Sequence, residues 1–314
     1  MLRCLDIFAG LGGFSEGARQ AGAHVVWAGN HWPAAVATHA LNHVDTEHVC
    51  QNLSNDFNWG RAPAHDALLA SPACQGHTEA RGKDRPYHDV DRATAYSVLA
   101  AASYHRPRFV LVENVPGFLR WPGFRGWKVS LEDFGYHVTV QVLNAKDFGL
   151  PQSRRRVFVL GCLDRAVELH APNKPFVPAA EIIDWTWPRW SPVNKPGRAA
   201  DTLRRIEAGR AEFGSTFLLA YYGSEEGGRP LSGPVGTLTC NDRYAIVDGD
   251  RMRMLTLQEV RAAMGFPATY VLPGGCVDMR GKSLSPHKAG VKMLGNAVPP
   301  PVAADLVRQI QAVA

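Results

Sequence analysis

A thiol and a carboxylate stand about forty residues apart, each at the end of a short apolar run. Cys74 lies in Ser71-Pro72-Ala73-Cys74-Gln75, after the run 67–70, and Glu113 opens Glu113-Asn114-Val115, after the run 109–112. In a parallel α/β sheet the carboxyl ends of the strands open into one crevice, so two such residues can reach one substrate. A thiolate adds covalently to an electrophilic carbon, and a desolvated carboxyl holds a proton near neutral pH for delivery. Each residue also has an ordinary reading. A lone Cys near a strand end is commonly a small core residue, and Glu113 could be a helix cap or a surface acid. The segment 76–86 after Cys74 is polar and contains glycine, which favours an accessible, reactive thiol.

Two further constellations accompany them. Phe8-Ala9-Gly10-Leu11-Gly12-Gly13 follows an apolar run and precedes a helical stretch. Its glycines would let a cofactor approach the backbone, but the spacing is not G-x-G-x-x-G, so a dinucleotide is disfavoured against another nucleoside. A plain tight turn is the alternative. Gln152-Ser153-Arg154-Arg155-Arg156 precedes a strand, on which Arg154 and Arg156 project to one face. Two guanidiniums there suit a phosphate or a base carbonyl, or a solvated basic edge. In Asn30-His31-Trp32, polar groups at a strand end could meet ribose hydroxyls and the indole could stack on adenine; a helix-start Asn and a half-buried Trp would look the same.

The elements that must position these residues alternate. Strands are expected at 2–8, 23–28, 67–70, 109–112, 136–143 and 157–160. Helices are expected after the glycine loop to Gly22, at 32–42 and at 91–105, the last capped by Asp89 or Asp91. This pattern predicts an α/β fold with a doubly wound, mostly parallel sheet over residues 1–163. Residues 164–235 are rich in Pro, Trp and Gly, with weak periodicity, and read as a second, irregular unit reaching to about 250. Helical patterning returns at 255–264 and at 301–313, where apolar residues recur at 302, 306, 310 and 313. The expected division is 1–163, 164–250 and a return segment 251–314 that completes the first domain.

The 314 residues, 46% hydrophobic and 20% charged, suit a soluble globular protein of this size. No apolar run is long enough for a bilayer, and Asp6 interrupts what would be a leader's apolar stretch. Six scattered cysteines without a C-x-x-C pair argue against zinc or a disulfide framework and for a reducing cytoplasm. A net charge of +5 permits a polyanionic partner without requiring one.

Taken together and in order, the strings 6–13, 72–75, 113–115, 152–156, 257–261 with 265–267, and Gly295-Asn296-Ala297-Val298 resemble the DNA (cytosine-5) methyltransferases over nearly the whole chain. The resemblance implies a Rossmann-like domain that binds S-adenosylmethionine and a smaller, irregular target-recognition domain. It implies that Cys74 attacks C6 of a flipped-out cytosine in double-stranded DNA and that Glu113 contacts N3 and N4. Arg156 would contact the O2 side of the base, and Arg154 the backbone or the active-site loop. Phe8 to Gly13, His31, Trp32, Asn52, Pro72, Asn296, Ala297 and Val298 are the implied cofactor residues, and Gln75, Gln152 and Arg155 the implied DNA contacts. No metal is implied. Three positions depart from the family pattern: Ala73 replaces a proline, His31 an acid that accepts ribose hydroxyls, and Asn52 an Asp that meets the adenine amino group.

The resemblance leaves other readings open: a tRNA cytosine-5 methyltransferase, a variant using a modified S-adenosylmethionine-like cofactor, or a catalytically silent DNA-binding relative. An exocyclic-amine methyltransferase is disfavoured, because an aromatic residue would replace Cys74 and Glu113 would have no role. A monomer is expected, bacterial or phage-encoded, cytoplasmic and nucleoid-associated. Any restriction endonuclease partner would be a separate protein, since the chain carries no nuclease-like domain. Trp185, Trp187, Arg189, Trp190, Arg198, Arg204 and Arg205 are candidate DNA contacts in the second unit, but no helix-in-groove motif reveals a recognition sequence.

Overall fold

The computed structural model describes residues 1–54, 56–73, 87–221 and 227–314. Its main sheet has seven strands: β1 (Arg3–Ile7), β2 (His24–Asn30), β3 (Glu47–Cys50), β4 (Ala67–Ala70), β5 (Phe109–Asn114), β6 (His137–Asn144) and β7 (Arg155–Cys162). Their order is β3-β2-β1-β4-β5-β7-β6. β1 pairs in parallel with β2 and β4, and β4 with β5, while β7 runs antiparallel between β5 and β6. The central strands β4 and β5 are buried along their whole length. They read as continuous apolar runs because helices cover both faces of the sheet.

Successive residues divide between those faces. Cys4, Leu69, Leu111 and Leu160 pack on one side with Phe14 and Ala18 of α1 (Gly13–Gln20). Val302, Leu306, Val307 and Ile310 of the C-terminal helix (Pro300–Gln311) join this cluster. Leu5, Leu68, Val110 and Val159 face the other side, against Val98 and Ala102 of the helix Tyr87–His105 and Trp127 of the helix Phe124–Asp133. The C-terminal helix thus covers one face of the main sheet. Because the first of these latter helices begins at Tyr87, Asp89 and Asp91 lie inside it and neither caps it.

The second unit is more regular than its composition suggests. It forms a five-stranded sheet from β8 (Ser191–Pro192), β9 (Thr216–Ala220), β10 (Gly228–Arg229), β11 (Tyr244–Asp248) and β12 (Arg251–Met254), in the order β10-β9-β11-β12-β8. Phe217, Leu219, Ala245 and Val247 pack with Ile206 of the helix Ala200–Phe213. The alternate residues Leu218, Ala220, Tyr244 and Ile246 pack with Val260, Ala263, Met293 and Leu294 of the return segment. Both faces of β9 and β11 are covered, so no apolar–polar alternation marks these two strands in the sequence, whereas β12, Arg251-Met252-Arg253-Met254, does alternate. The sheet also runs past residue 250: β12 lies in the segment expected to belong wholly to the first domain. There Arg253 makes a bidentate pair with Glu259 at 2.7 and 2.8 Å, both side chains buried. Glu259 in turn completes a capping box with Thr256 at the start of the helix Leu257–Ala263.

Candidate active site

Cys74 and Gln75 lie outside the described residues, but the backbone leading to Cys74 is held from two sides. Ala73 N–H donates to Thr94 Oγ1 at 3.0 Å, and Asn114 Nδ2 donates to the Pro72 carbonyl at 3.2 Å. Adjacent strands β4 and β5 therefore deliver residue 73 and Glu113 to the same edge of the sheet.

Glu113 is 5% exposed, and Arg156 Nε lies 3.0 Å from its Oε1. The pair follows from register. Glu113 sits opposite Phe158 on the antiparallel β7, so Arg156, two residues before Phe158, projects to the same face. Burial raises the Glu113 pKa above the usual carboxylate range, while Arg156 and then Arg154 oppose that shift. A carboxyl so balanced can exchange its proton with a bound base.

Arg154 does different work from Arg156. It is 2% exposed, and its Nη1 donates to the Leu238 carbonyl at 2.8 Å. Its Nη2 reaches the carbonyls of Gly295 and Ala297 at 2.8 and 3.1 Å. The guanidinium joins the second unit to the Gly295–Val298 turn, so its role is structural. Gln152, expected to face DNA, is fully buried. Its Nε2 donates to the Ala263 carbonyl at 3.2 Å, and its Oε1 accepts from Leu238 N–H at 3.0 Å. Only Arg155 of this string is exposed. The sequence could not separate these residues, because a guanidinium or an amide serves a carbonyl and a phosphate equally well.

The glycine loop also divides. Phe8, with φ 60°, Ala9 and Gly10, with φ 56°, are half-buried. A side chain at Gly10 would meet nothing nearer than 3.9 Å, so free space borders this part of the loop. Leu11, Gly12 and Gly13 are buried behind it. A Cβ at Gly12 would stand 2.7 Å from the Tyr270 hydroxyl, and one at Gly13 would stand 1.9 Å from the Val298 carbonyl oxygen. These two glycines therefore admit other parts of the protein rather than a ligand. Ala297 and Val298 are likewise core residues, able to approach a cofactor only through their backbone, whereas the Asn296 side chain is exposed.

Behind the loop lies a polar network that the sequence reading missed. Asp6 Oδ2 accepts from Ser15 N–H and Oγ at 3.1 and 2.7 Å. Ser15 Oγ meets His39 Nε2 at 2.9 Å, and His39 Nδ1 meets His48 Nε2 at 2.8 Å. Tyr270 Oη donates to the Leu11 carbonyl at 2.5 Å and lies 3.1 Å from His43 Nε2. Burial raises the Asp6 pKa to about 7 and lowers that of His43 to about 4. The helical spacing of His39 and His43 was visible, but nothing in the sequence places Tyr270 beside them.

Beyond β2, Trp32 donates its indole N–H to the Val277 carbonyl at 3.0 Å, with Lys292 Nζ 5.4 Å from the ring centroid. His31, which precedes Trp32, and Asn52, just past the end of β3, are exposed. Open loop backbone, a half-exposed indole and the exposed side-chain amides of Asn52 and Asn296 suit a neutral nucleoside joined to an amino-acid moiety. Among the described residues no group of three or more His, Cys, Asp or Glu could hold a metal ion, and no helix is long and apolar enough to cross a membrane.

A seven-stranded sheet with antiparallel β7, carrying this loop beside a buried carboxyl, defines a Rossmann-like methyltransferase domain. The C-5 cytosine-specific DNA methylase family matches residues 2–182 and 219–312, and the chain belongs to that S-adenosylmethionine-dependent family. Among relatives, the type II methyltransferase M.AplI of Arthrospira platensis is 28% identical over 98% of this chain and 85% of its own length. M.MthTI of Methanothermobacter thermautotrophicus is 27% identical, over 98% and 96%. M.AgeI of Thalassovita gelatinovora is 33% identical over 52% of this chain, which spans only 40% of that protein. A putative DNA modification methyltransferase from an E. coli prophage shares the fold, with a TM-score of 0.70 at 19% identity over 99% of each chain. Dnmt2 of S. pombe does so with a TM-score of 0.66 at 18% identity, also over 99% of each.

Proposed function

We propose that this chain transfers a methyl group to C5 of a flipped-out cytosine in double-stranded DNA, through a covalent Cys74 adduct. The observation that carries the reading is the buried Glu113–Arg156 pair, whose carboxylate lies on β5, the strand next to the one that leads to Cys74. Extruding the base costs roughly a few kcal/mol. Cys74 thiolate then adds to C6, and the C5–C6 π electrons shift to C5 while Glu113 supplies a proton at N3. When bound, S-adenosylmethionine supplies an electrophilic methyl group on a sulfonium. Held there, that methyl group would be taken up by C5, with the C–S electron pair left on sulfur. A base then removes the C5 proton, the C5–C6 double bond reforms as Cys74 leaves as thiolate, and the N3 proton returns to Glu113. Arg156 holds Glu113 in place and offers its remaining N–H groups to the O2 side of the base.

Phe8, Ala9, Gly10, His31, Trp32, Asn52 and Asn296 would hold the cofactor, with Pro72 at the edge of its site. Residues from about 175 to 254 would serve as the target-recognition unit, with Arg155 and Gln75 nearer the strand being modified. The reading extends to a monomer in the bacterial cytoplasm, acting alone or beside a separate restriction endonuclease as type II enzymes do.

Tritiated methyl transfer to duplex DNA, with tRNA as the competing substrate, tests the reaction. Transfer to DNA that disappears in Cys74→Ala is expected; transfer to tRNA alone would overturn the DNA assignment. Trapping on duplexes containing 5-fluorocytosine should give a Cys74-dependent adduct, and its absence would point to a silent relative.

A further inference from the structure

The irregular segment that precedes β11 meets the Gly295–Val298 turn at Cys240. Its Sγ lies 2.8 Å from Asn296 Oδ1. A neutral thiol has one proton to give and a sulfur that accepts poorly, so the oxygen side of the amide is the side that faces it. Burial keeps the thiol proton on by raising its pKa, although Arg154, Lys292 and Arg156 pull the other way.

Two independent features fix this contact. Arg154 grips the carbonyls on both sides of Asn296 and, with its other nitrogen, that of Leu238, two residues before Cys240. The backbone of Thr239 and Cys240 also lies directly on Gly295: a Cβ there would stand 2.3 Å from Thr239 and 2.6 Å from the Cys240 nitrogen. The main chain of Asn296 and the position of the thiol are thus set by the same clamp, leaving the amide rotation to the S–H···O bond. The Asn296 side chain is otherwise exposed.

We propose that Cys240 is a positioning residue for Asn296, holding its amide so that Nδ2 faces the cleft and donates to an oxygen acceptor on the cofactor or the target base. This inference rests on the methyltransferase reading of the same site. A weak donor acting through one side chain should matter by a modest factor, and by its proton rather than its bulk.

The test compares Cys240→Ala, Cys240→Ser and Cys240→Val in the full chain, each checked by thermal melting. Calorimetry with S-adenosylhomocysteine and the KM for duplex DNA are the two readouts. Serine keeps the donor, and valine keeps approximate bulk without it. Alanine and valine should weaken one readout about fivefold to tenfold, while serine stays within about twofold of wild type. Weakened cofactor binding puts the acceptor on the cofactor, and a raised DNA KM alone puts it on the base. If valine binds as well as serine, or all three match wild type, the positioning role is overturned while the methyltransferase reading stands. Wild-type protein that neither binds S-adenosylhomocysteine nor methylates DNA would overturn both.

Discussion

Asn114 Nδ2 donates to the carbonyl of Pro72 at 3.2 Å, joining the ends of two adjacent strands. Its Oδ1 accepts from the N–H of Val115 at 2.8 Å, so both ends of the buried amide are used. The residue after the carboxyl thereby fixes the backbone that precedes the thiol. Asn114→Ala should lower kcat for methyl transfer at least tenfold by loosening the residue 72–73 backbone. It should also cost about 1–3 kcal/mol in urea unfolding, since it leaves a buried carbonyl unpaired. Unchanged kcat with lowered stability would limit Asn114 to the core.

Glu113 should be indispensable as a proton carrier. Glu113→Gln keeps the shape but has no proton to give, and transfer should fall about 10²–10⁴-fold. The sign of the stability effect is also fixed. Burial raises this carboxyl's folded pKa, so the native state holds its proton where the unfolded chain has lost it. Stability therefore falls as pH rises through that window, and the glutamine variant should lack this part of the pH dependence in thermal melts. Arg156→Met, which strands the carboxylate without its partner, should be more harmful to folding, by about 3–5 kcal/mol.

The network behind the glycine loop predicts acid sensitivity. His43 faces Glu16 and Arg19 of α1, His48 of β3, its neighbour His39, and Tyr270 of the return segment. Its pKa falls from 6.5 to about 4 on folding, so its contribution to stability is lost as pH drops from about 6.5 towards 4. His39 and His48 shift the same way. Asp6, raised to about 7, opposes them, because its buried carboxyl gains stability as pH falls below that value. At pH 5 His43 alone should cost about 2 kcal/mol relative to pH 8. His43→Gln should narrow the gap between melting temperatures at the two values, and a gap as wide as wild type would refute the assignment.

The departure at position 31 is testable by binding. His31 is exposed beside Trp32, and a neutral imidazole offers one acceptor and one donor where a carboxylate could accept two ribose hydroxyls. His31→Glu should tighten S-adenosylmethionine binding several-fold by calorimetry, and unchanged or weaker affinity would show that this position does not meet the ribose.

What the sequence made legible was whatever depends on order along the chain. The buried strands 67–70 and 109–112, the strand-to-loop position of Phe8–Gly10 and the α/β alternation all follow from local patterning. Other features depend on contacts across more than a hundred residues. The requirement for Gly13 is set by Val298, and Arg154 is engaged by carbonyls at 238, 295 and 297. Gln152 is absorbed by Ala263 and Leu238. In a string such as Gln152–Arg156, polar residues that hold the protein together look identical to those that meet a ligand. The five-stranded sheet escaped for a different reason: β9 and β11 are short and apolar on both faces, β8 and β10 have two residues each, and the alternation of β12 spans only four. The helix Pro286–Asn296 was missed despite its Ser285 cap and N-terminal proline, because its apolar residues surround a glycine rather than forming one stripe.

The contact of Gly295 with the Thr239–Cys240 backbone bears on how specificity could be exchanged among such enzymes. Residues 237–240 travel with the second unit in the chain yet pack on the Gly295–Asn296 turn, which the proposed function places at the cofactor site. A chimera that imported a foreign segment through residue 250 would replace that packing along with the DNA-reading surface, and should lose turnover as well as change its target. A graft that stops before residue 235 leaves the Leu238, Gly295 and Ala297 carbonyls on Arg154. Modularity in this fold therefore has a seam, and it lies inside the recognition unit rather than at its end.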